Sequence, residues 1–287
     1  MEEILKNKMN TEKMETVNDL DDREFIEYKK NFCSVHSFII EKYCNYWEIC
    51  RLNQTFLGRI FFPIDKILRN DSRLWISSNL KYGNKHVLVP IDFYTLTETI
   101  LSLDVRIGGL FRVRNSMITV KECVDMLERE IYNRSSFKDI RDKLAESFNV
   151  IDLTTAFKEI LRNYKHSVIP EGFLPIIIKL FSVDKQEDRL ILYHYLYISL
   201  PKFNRHILEA TIFFLYLIHD IATVDGSDYT NNMDMAGIST VIMPNLLLKN
   251  VQDFSLAEVS LLVEFMKEFI LNFKTIAQKN TLFEIID

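Results

Sequence analysis

The chain has 287 residues and a formal net charge of −5, enough for one large domain with an extension. Hydrophobic residues make up 48% of it, whereas only seven Gly and six Pro are present, which favours long helices over many short strands. The acidic balance argues against nucleic acid as a partner. The sequence has no phosphate-cradling glycine loop, His-Glu-x-x-His or Gly-x-Ser-x-Gly, so a stand-alone NTPase, zinc protease or serine hydrolase has no support.

The amino-terminal part divides into two predicted segments. Residues 1–20 are charged and poor in apolar side chains, which predicts disorder. Asp21 and Glu24 then have the spacing of a capping box, and residues 21–55 are predicted to form one long amphipathic helix. Packing of that helix on the rest of the chain is favoured over dimerisation, so a monomer is expected. Its apolar stripe is Phe25, Tyr28, Phe32, Val35, Ile39, Tyr43, Tyr46 and Cys50.

Two clusters near this segment have an ordinary explanation. Cys33, His36, Cys44 and Cys50 suggest zinc, but their spacing is irregular, so reduced, partly buried thiols are favoured and no metal is expected. A short helix is predicted over 64–68, followed by a loop. The basic residues around it are typical of a solvated surface; they are Arg59, Lys66, Arg69 and Arg73.

A Gly-Leu-Phe-Arg-Val stretch, residues 109–113, lies between two predicted helices. The first begins at Val89-Pro90 and has apolar residues at spacings of three and four. Ser116 is the expected cap of the second. Arg112 is therefore predicted to lie on a short loop between two anchored helices, which presents its side chain to a partner. The apolar positions are Phe93, Leu96, Ile100 and Leu103 before the loop, and Val120, Cys123, Met126, Leu127 and Ile131 after it.

The next long helix is expected to be capped by Asp152 and to carry two basic residues on one face. Lys158 and Arg162 are four residues apart and lie off the apolar stripe, towards water. Taken alone, such a pair is most often a solvated face. The buried stripe is predicted to be Leu153, Ala156, Phe157, Ile160, Leu161 and Tyr164.

Two further stretches mark the second half of the chain. Leu200-Pro201-Lys202-Phe203-Asn204 precedes a long apolar run to residue 222, predicted to be a central helix. Asn231-Asn232-Met233-Asp234 leads into a second stretch, Met243-Pro244-Asn245-Leu246-Leu247. Residues 255–277 have apolar positions at helical spacing and are predicted to be the closing helix, with the stripe Leu256, Val259, Leu262, Val263, Met266, Phe269 and Ile270.

The order and spacing of these stretches resemble the RhoGAP family, the GTPase-activating proteins of Rho-type small GTPases. The family has a glycine three residues before its arginine finger, here Gly109 and Arg112, and an exposed lysine and arginine four apart, here Lys158 and Arg162. A Leu-Pro-x-x-Asn helix start and a Pro-Asn-Leu-Leu stretch complete the resemblance, which runs from about 56 to 273.

The resemblance implies an all-α multi-helix bundle over residues 56–287, with the amino-terminal helix as an addition. It implies an activator that completes the active site of a Rho- or Rac-type GTPase in its GTP state, so GTP and magnesium belong to the partner. Arg112 would be the finger. Lys158 would contact the GTPase, Arg162 would contact it and brace the loop of the finger by bonding its backbone, and Gly109 and Asn245 would be structural.

Departures from the family keep a second function open. The family carries an asparagine at the position of Gly237, and small residues after the finger where this chain has Arg114 and Asn115. Leu-Pro-Glu-Pro-Leu, expected after Arg162, is replaced by residues 164–168. The alternatives are a weak or inactive module that binds a GTPase or another protein as a scaffold, and an unrelated helical scaffold. No membrane span or signal peptide is apparent, so a cytoplasmic protein is expected, with recruitment to membranes through the GTPase.

Overall fold

The computed structural model describes residues 14–53, 74–113, 115–164, 167–223, 234–247 and 254–279. Helices make up most of these ranges, as predicted, together with one antiparallel hairpin. The elements are α1 (Asp22–Val35), α2 (Ser37–Tyr43), α3 (Tyr46–Leu52), β1 (Trp75–Ser78), β2 (Val87–Pro90), α4 (Ile91–Ser102), α5 (Met117–Tyr132), α6 (Phe137–Ser147), α7 (Val150–Asn163), α8 (Leu174–Lys179), α9 (Gln186–Ser199), α10 (Lys202–Thr223), α11 (Met235–Leu247), α12 (Leu256–Leu271) and α13 (Phe273–Ala277).

The amino-terminal extension is helical, but it consists of three helices rather than one. The predicted capping box is confirmed: the Asp21 carboxylate accepts from the Glu24 amide, and the Glu24 carboxylate accepts from the Asp21 amide, each at 2.8 Å. The chain leaves the helical path at Cys44, which has extended backbone angles, and turns at His36. The three-four spacing therefore predicted the helices but not the breaks between them, which follow from packing against the rest of the chain.

The predicted stripe of this extension is only partly buried. Tyr28 and Phe32 lie in the core, whereas Val35 is 48% and Tyr46 62% exposed. The Tyr28 hydroxyl lies 2.9 Å from Nε2 of His194 in α9, and the ring of Phe32 lies 4.5 Å from the same imidazole. The extension thus packs on the rest of the chain, as expected, through α1 and also through α2, where Ile39 and Tyr43 of the stripe are partly buried against the core.

Residues 14–20 are packed into the fold, contrary to the expectation of disorder. Asn18 donates to Glu209 Oε2 at 2.6 Å, and the Tyr82 amide donates to Glu209 Oε1 at 2.7 Å. Glu209 is fully buried in α10, and this burial raises the pKa of its carboxyl, against the effect of the two donors. One buried carboxylate therefore joins the amino-terminal segment, the hairpin and α10. Residues 1–13 lie outside the described residues.

The β1–β2 hairpin is a feature that the sequence analysis missed. Trp75 pairs with Pro90 and Ser78 with Val87, so the Val89-Pro90 dipeptide ends a strand, and α4 begins at Ile91 rather than at Val89. β2 packs on α10. The predicted helix at 64–68 and the basic residues Arg59, Lys66, Arg69 and Arg73 lie outside the described residues.

The core is built around α7 and α10. The predicted α7 stripe is confirmed, because Leu153, Ala156 and Phe157 are fully buried. Phe157 meets Phe214 of α10 with ring centroids 5.1 Å apart. The other three predicted positions, Ile160, Leu161 and Tyr164, are also buried, and Tyr164 lies just past the end of the helix. The cap of α7 is Asn149 and not Asp152, which instead lies in the first turn and completes a capping box.

The carboxyl-terminal elements close the bundle. α11 and α12 pack side by side, and α13 packs on α9. Ser255 caps α12 as part of a capping box with Glu258. Leu256, predicted to lie on the apolar stripe, is 88% exposed because it is the first residue of the helix, and the helix breaks at Asn272 before α13. Within the described ranges, no helix combines the length and apolar character that spanning a bilayer requires.

Candidate functional site

The loop between α4 and α5, residues 103–115, is here called the Arg112 loop; residue 114 lies outside the described residues. Gly109 has a φ of +81°, a conformation that costs glycine little and other residues more. The Gly109 carbonyl accepts from the amides of Arg112 at 2.9 Å and Val113 at 2.8 Å. A Cβ on Gly109 would lie 2.6 Å from Val113 Cγ2. This turn therefore requires glycine for both its backbone angle and its space.

Phe111 fixes the residue immediately before the arginine. Its φ of +63° is unusual for a residue with a side chain, and its ring is only 2% exposed. The ring makes edge contacts with Phe157 of α7 at 6.4 Å and Phe214 of α10 at 6.3 Å. Phe111 is buried and Arg112, the residue after it, is exposed. A ring in the core therefore holds an arginine at the surface.

Helix α7 holds the loop at two places. Lys158 Nζ, which is half-buried, donates to the Phe111 carbonyl on one side of Arg112. On the other side, Asn115 Nδ2 donates to Asp152 Oδ1 at 2.6 Å. Three of the residues that contact the loop, including Phe157, belong to this single helix. A rigid helix therefore sets the position of the arginine, as a presenting scaffold should.

Arg162 is exposed, one turn beyond Lys158, and forms an ion pair with Glu159. The resemblance implied that Arg162 would bond the backbone of the loop, and in this structure Lys158 makes such a bond. Lys158 and Arg162 are four residues apart in α7 and so share one face of that helix. That Arg112, Lys158 and Arg162 act together at one site stays a prediction.

The segment after α7 is held by buried hydrogen bonds to its backbone. Nδ2 of the Asn204 side chain donates to the Val168 carbonyl at 2.8 Å, and the Ile169 backbone amide donates to the Leu246 carbonyl at 2.9 Å. Asn204 is thus a structural residue that ties α10 to the stretch where the sequence departs from the family. Asn245, half-buried in α11, donates from Nδ2 to the Val241 carbonyl at 2.8 Å, one turn back in the helix that contains Pro244.

Exposed apolar side chains lie close to Arg112 in the sequence on both sides, a feature that the sequence analysis did not single out. Ile107 is 42% and Val113 43% exposed, and at the start of α5 Met117 is 58% and Ile118 72% exposed. The sequence shows that these residues lie close to the Gly109 turn, but it does not show that their side chains are exposed. An arginine within an apolar rim is the arrangement of a binding hot spot, with a charged anchor and surfaces that exclude water.

The described cysteines of the candidate zinc cluster, and Cys123, lack the features of reactive or metal-bound thiols. Burial raises the pKa of the Cys33 thiol and raises the pKa of Cys44 and Cys123 to about 12, so these are thiols that stay protonated. Across the part of the chain that is described, no group of His, Cys, Asp and Glu is arranged to hold a metal ion. Asn231, Asn232 and Met233, like Arg114, lie outside the described residues.

Comparison with protein families gives a match to the RhoGAP domain over residues 90–251, more than half of the chain. Three relatives are similar at low identity. The "Rho-GTPase-activating protein LRG1" of Saccharomyces cerevisiae is 23% identical over 180 residues, covering 63% of this chain and 17% of that protein. "Rho-type GTPase-activating protein 1" of Schizosaccharomyces pombe is 24% identical, covering 74% and 18%. The human "Rho GTPase-activating protein 40" is 25% identical, covering 65% and 24%.

The chain thus spans a quarter or less of the length of these curated relatives. Two crystal structures share its fold. The BH domain from GRAF, described as the GTPase regulator associated with focal adhesion kinase, has a TM-score of 0.53 at 19% identity and covers 64% of this chain and 92% of that one. Human Rho GTPase activating protein 15 has a TM-score of 0.54 at 18% identity and covers 65% and 83%. Residues 14–89 precede the region matched by the family.

Proposed function

The chain belongs to the RhoGAP domain family, and from this premise we propose that it is a GTPase-activating protein that accelerates GTP hydrolysis by a Rho- or Rac-type small GTPase, with Arg112 as its arginine finger. The observation that carries the proposal is the presentation of Arg112. The residue before it is buried, its loop is bonded to α7 on both sides, and its own side chain is exposed.

The chemistry that the partner lacks is the chemistry that arginine supplies. Negative charge develops on the phosphoryl group during GTP hydrolysis, and an inserted arginine that neutralises it accelerates hydrolysis by roughly 10³–10⁵. The guanidinium remains charged at every physiological pH and offers forked donors to phosphate oxygens. The hydrolysed bond and the magnesium belong to the GTPase, so this chain would act as an activator without a cofactor of its own.

The two basic residues of α7 would extend the contact. Arg162 is exposed and its ion pair with Glu159 is at the surface, so the pair can exchange for a carboxylate of the GTPase at small cost. Lys158 would both hold the loop through its bond to the Phe111 carbonyl and contact the GTPase at the edge of the loop. We assign the apolar rim of the Arg112 loop to the same interface, which would exclude water from the arginine as the complex forms.

A module that binds a GTPase without accelerating hydrolysis is the alternative, and Gly237 favours it. In place of the family's asparagine, this position in the first turn of α11 has only its backbone amide, which donates to Asp234 at 2.7 Å. No side chain there is available to the partner. Activity in the cytoplasm and recruitment to a membrane by the bound GTPase are parts of the same proposal.

Single-turnover GTP hydrolysis by Rho-, Rac- and Ras-type GTPases tests the proposal, with parent and Arg112→Ala protein side by side. We expect the parent to accelerate hydrolysis by a Rho- or Rac-type member and Arg112→Ala to lose about 10³-fold or more of that acceleration. Arg106→Ala is the matched control, because Arg106 is an exposed arginine of the same loop, paired with Asp104 at 2.9 Å.

Acceleration that survives Arg112→Ala would refute the assignment of the finger, and loss in Arg106→Ala alone would transfer the role to Arg106. A parent that retains the GTP-bound GTPase in a pull-down without accelerating hydrolysis would establish the binding module instead.

A further inference from the structure

Asp152 has two bonds that connect a helix end to the Arg112 loop. Its Oδ2 accepts from the Asn149 amide at 3.2 Å, which completes the capping box of α7, and its Oδ1 accepts from the Asn115 side-chain amide at 2.6 Å. Asp152 is 5% exposed, so its carboxylate is largely shielded from water, whereas Asn115 is half-buried and Asn149 is exposed. A bond from an amide to a carboxylate is stronger than a neutral one, and a shielded one competes less with water.

Asn115 lies three residues after Arg112, and the side of the loop before Arg112 is held independently. There the Phe111 ring is buried and Lys158 donates to the Phe111 carbonyl. After Arg112, Asn115 supplies the side-chain bond that returns the chain to α7, just before Ser116 caps α5. The arginine therefore lies between two attachments to one helix. At the Phe111 end the loop is held by the bond from Lys158, and the bond from Asn115 to Asp152 adds an attachment on the other side of Arg112.

We propose that Asn115 is a positioning residue for the arginine finger: through its bond to Asp152 it fixes the carboxyl-terminal side of the Arg112 loop on α7. This inference rests on the proposed function. Asn115 occupies a position where the family usually has a small residue, so the bond would be an attachment that this chain has gained. Its role is indirect, because Asn115 orders the backbone that carries Arg112 and does not itself contact the reacting phosphate.

The physical benefit is preorganisation. An arginine side chain has many rotamers, and a loop that is loose at one end adds backbone freedom that must be lost in the transition state. Fixing both ends before the GTPase arrives removes part of that loss. The expected consequence of breaking the bond is a lower maximal rate with little change in binding of the GTP state, since the contacts of Lys158 and Arg162 remain.

Asn115→Ala breaks the bond and keeps the caps, because Ser116 caps α5 and Asn149 caps α7 without it. Asn115→Asp is the stronger perturbation, since it brings two carboxylates together at the 2.6 Å separation. In the double variant Asn115→Asp/Asp152→Asn the amide and the carboxylate trade places, the net charge is that of the parent, and the amide oxygen can still accept from the Asn149 amide. That variant should restore the bond.

Two measurements are made on each variant. Hydrogen exchange of the free protein reports the Arg112 and Val113 amides, which are protected by the Gly109 carbonyl. Single-turnover hydrolysis at saturating activator gives the maximal rate, and its concentration dependence gives the half-saturating concentration. We expect faster loop exchange and a maximal rate about tenfold lower in Asn115→Ala, an unchanged half-saturating concentration, and recovery of both in the double variant. In an Arg112→Ala background, Asn115→Ala should change the rate no further.

Unchanged loop exchange in Asn115→Ala would overturn the inference, whatever the kinetics. So would an unchanged maximal rate, or an effect of equal size in the Arg112→Ala background, because Asn115 would then act on something other than the arginine. A parent that accelerates no GTPase would instead refute the proposed function, and the role assigned to Asn115 would fall with it. An active parent with an indifferent Asn115→Ala variant refutes this inference alone.

Discussion

Phe111 provides a test of the loop that does not depend on the GTPase. Replacing it with alanine removes a ring that is 2% exposed and packed between Phe157 and Phe214. Core Phe→Ala substitutions cost about 3–5 kcal/mol of unfolding free energy. The edge contacts at 6.3–6.4 Å lie at the loose end of aromatic pairs, and a loop can relax into the space. We therefore expect a loss of about 3 kcal/mol for Phe111→Ala.

The positive φ of Phe111 gives a second, opposite expectation for glycine. Alanine keeps a Cβ and so keeps the strain of the left-handed region, which is about 1–2 kcal/mol, whereas glycine relieves it. Glycine also has more conformational freedom in the unfolded chain, which lowers the stability of the folded state by roughly 0.5–1 kcal/mol and offsets part of the relieved strain. Phe111→Gly should therefore be as stable as Phe111→Ala or up to about 1 kcal/mol more stable, the reverse of the usual order in helices.

Urea unfolding followed by circular dichroism measures both variants. Lys121 supplies the matched control, because it is exposed on α5 and its Gly variant should be about 1 kcal/mol less stable than its Ala variant. A Phe111→Gly variant that is less stable than Phe111→Ala by the same margin would refute the left-handed conformation. A Phe111→Ala variant within 1 kcal/mol of the parent would refute the burial of the ring.

Two further predictions concern Lys158 and the buried histidines. Lys158→Met keeps an unbranched side chain without the charge, so it should weaken both the acceleration of hydrolysis and the affinity for the GTP-bound GTPase. Because Lys158 is half-buried, the free energy of unfolding should change by less than about 1 kcal/mol. A variant with the affinity and rate of the parent would exclude the α7 face from the interface. His206 accepts from the Leu88 amide through Nδ1 at 3.1 Å, and burial lowers its pKa to about 3, as it lowers that of His194 to about 4. Both pKa values lie below that of an unfolded histidine, so the unfolded chain binds more protons than the folded one. The stabilisation is therefore fully present above about pH 6.5. Below that pH the free energy of unfolding falls by up to about 1.4 kcal/mol per pH unit for each histidine. Urea unfolding midpoints at pH 7.5 and 5 measure this pH dependence. His206→Asn keeps an acceptor for the Leu88 amide but does not titrate, so its stability should depend less steeply on pH. An equal pH dependence in parent and variant would contradict the prediction.

Local chemistry in the sequence was enough to predict much of the fold and the outline of the site. Ser116 and the Asp21–Glu24 pair identify helix starts because a cap acts within one turn. The apolar stripes of α4 and α7 follow from the helical period, and Gly109 marks the turn because a positive φ costs glycine less than other residues. The shared order and spacing of the Gly109–Arg112 turn, the Lys158–Arg162 pair, the Leu-Pro-x-x-Asn start and the Pro-Asn-Leu-Leu stretch indicated the family, which the domain match bears out.

Features that depend on distant partners were missed or misplaced. The four-residue strands of the hairpin are too short to show alternation, and they form because β2 packs on α10. Residues 14–20 have only three apolar side chains, and Asn18 in this segment donates to Glu209, which is nearly 200 positions away in the chain. The three helices of the extension break where packing changes, as at His36, and no local signal marks those breaks.

The same distinction between local chemistry and contacts with distant partners applies to the candidate site. The sequence by itself determined which residue types are present and where turns and helices begin, because these depend on backbone angles and on neighbours within a few positions. Only the tertiary structure decided that Phe111 is buried and Arg112 exposed, that Lys158 reaches the loop, and that Asn115 meets Asp152. Those contacts join residues 37 to 47 positions apart, and their geometry depends on how whole helices pack.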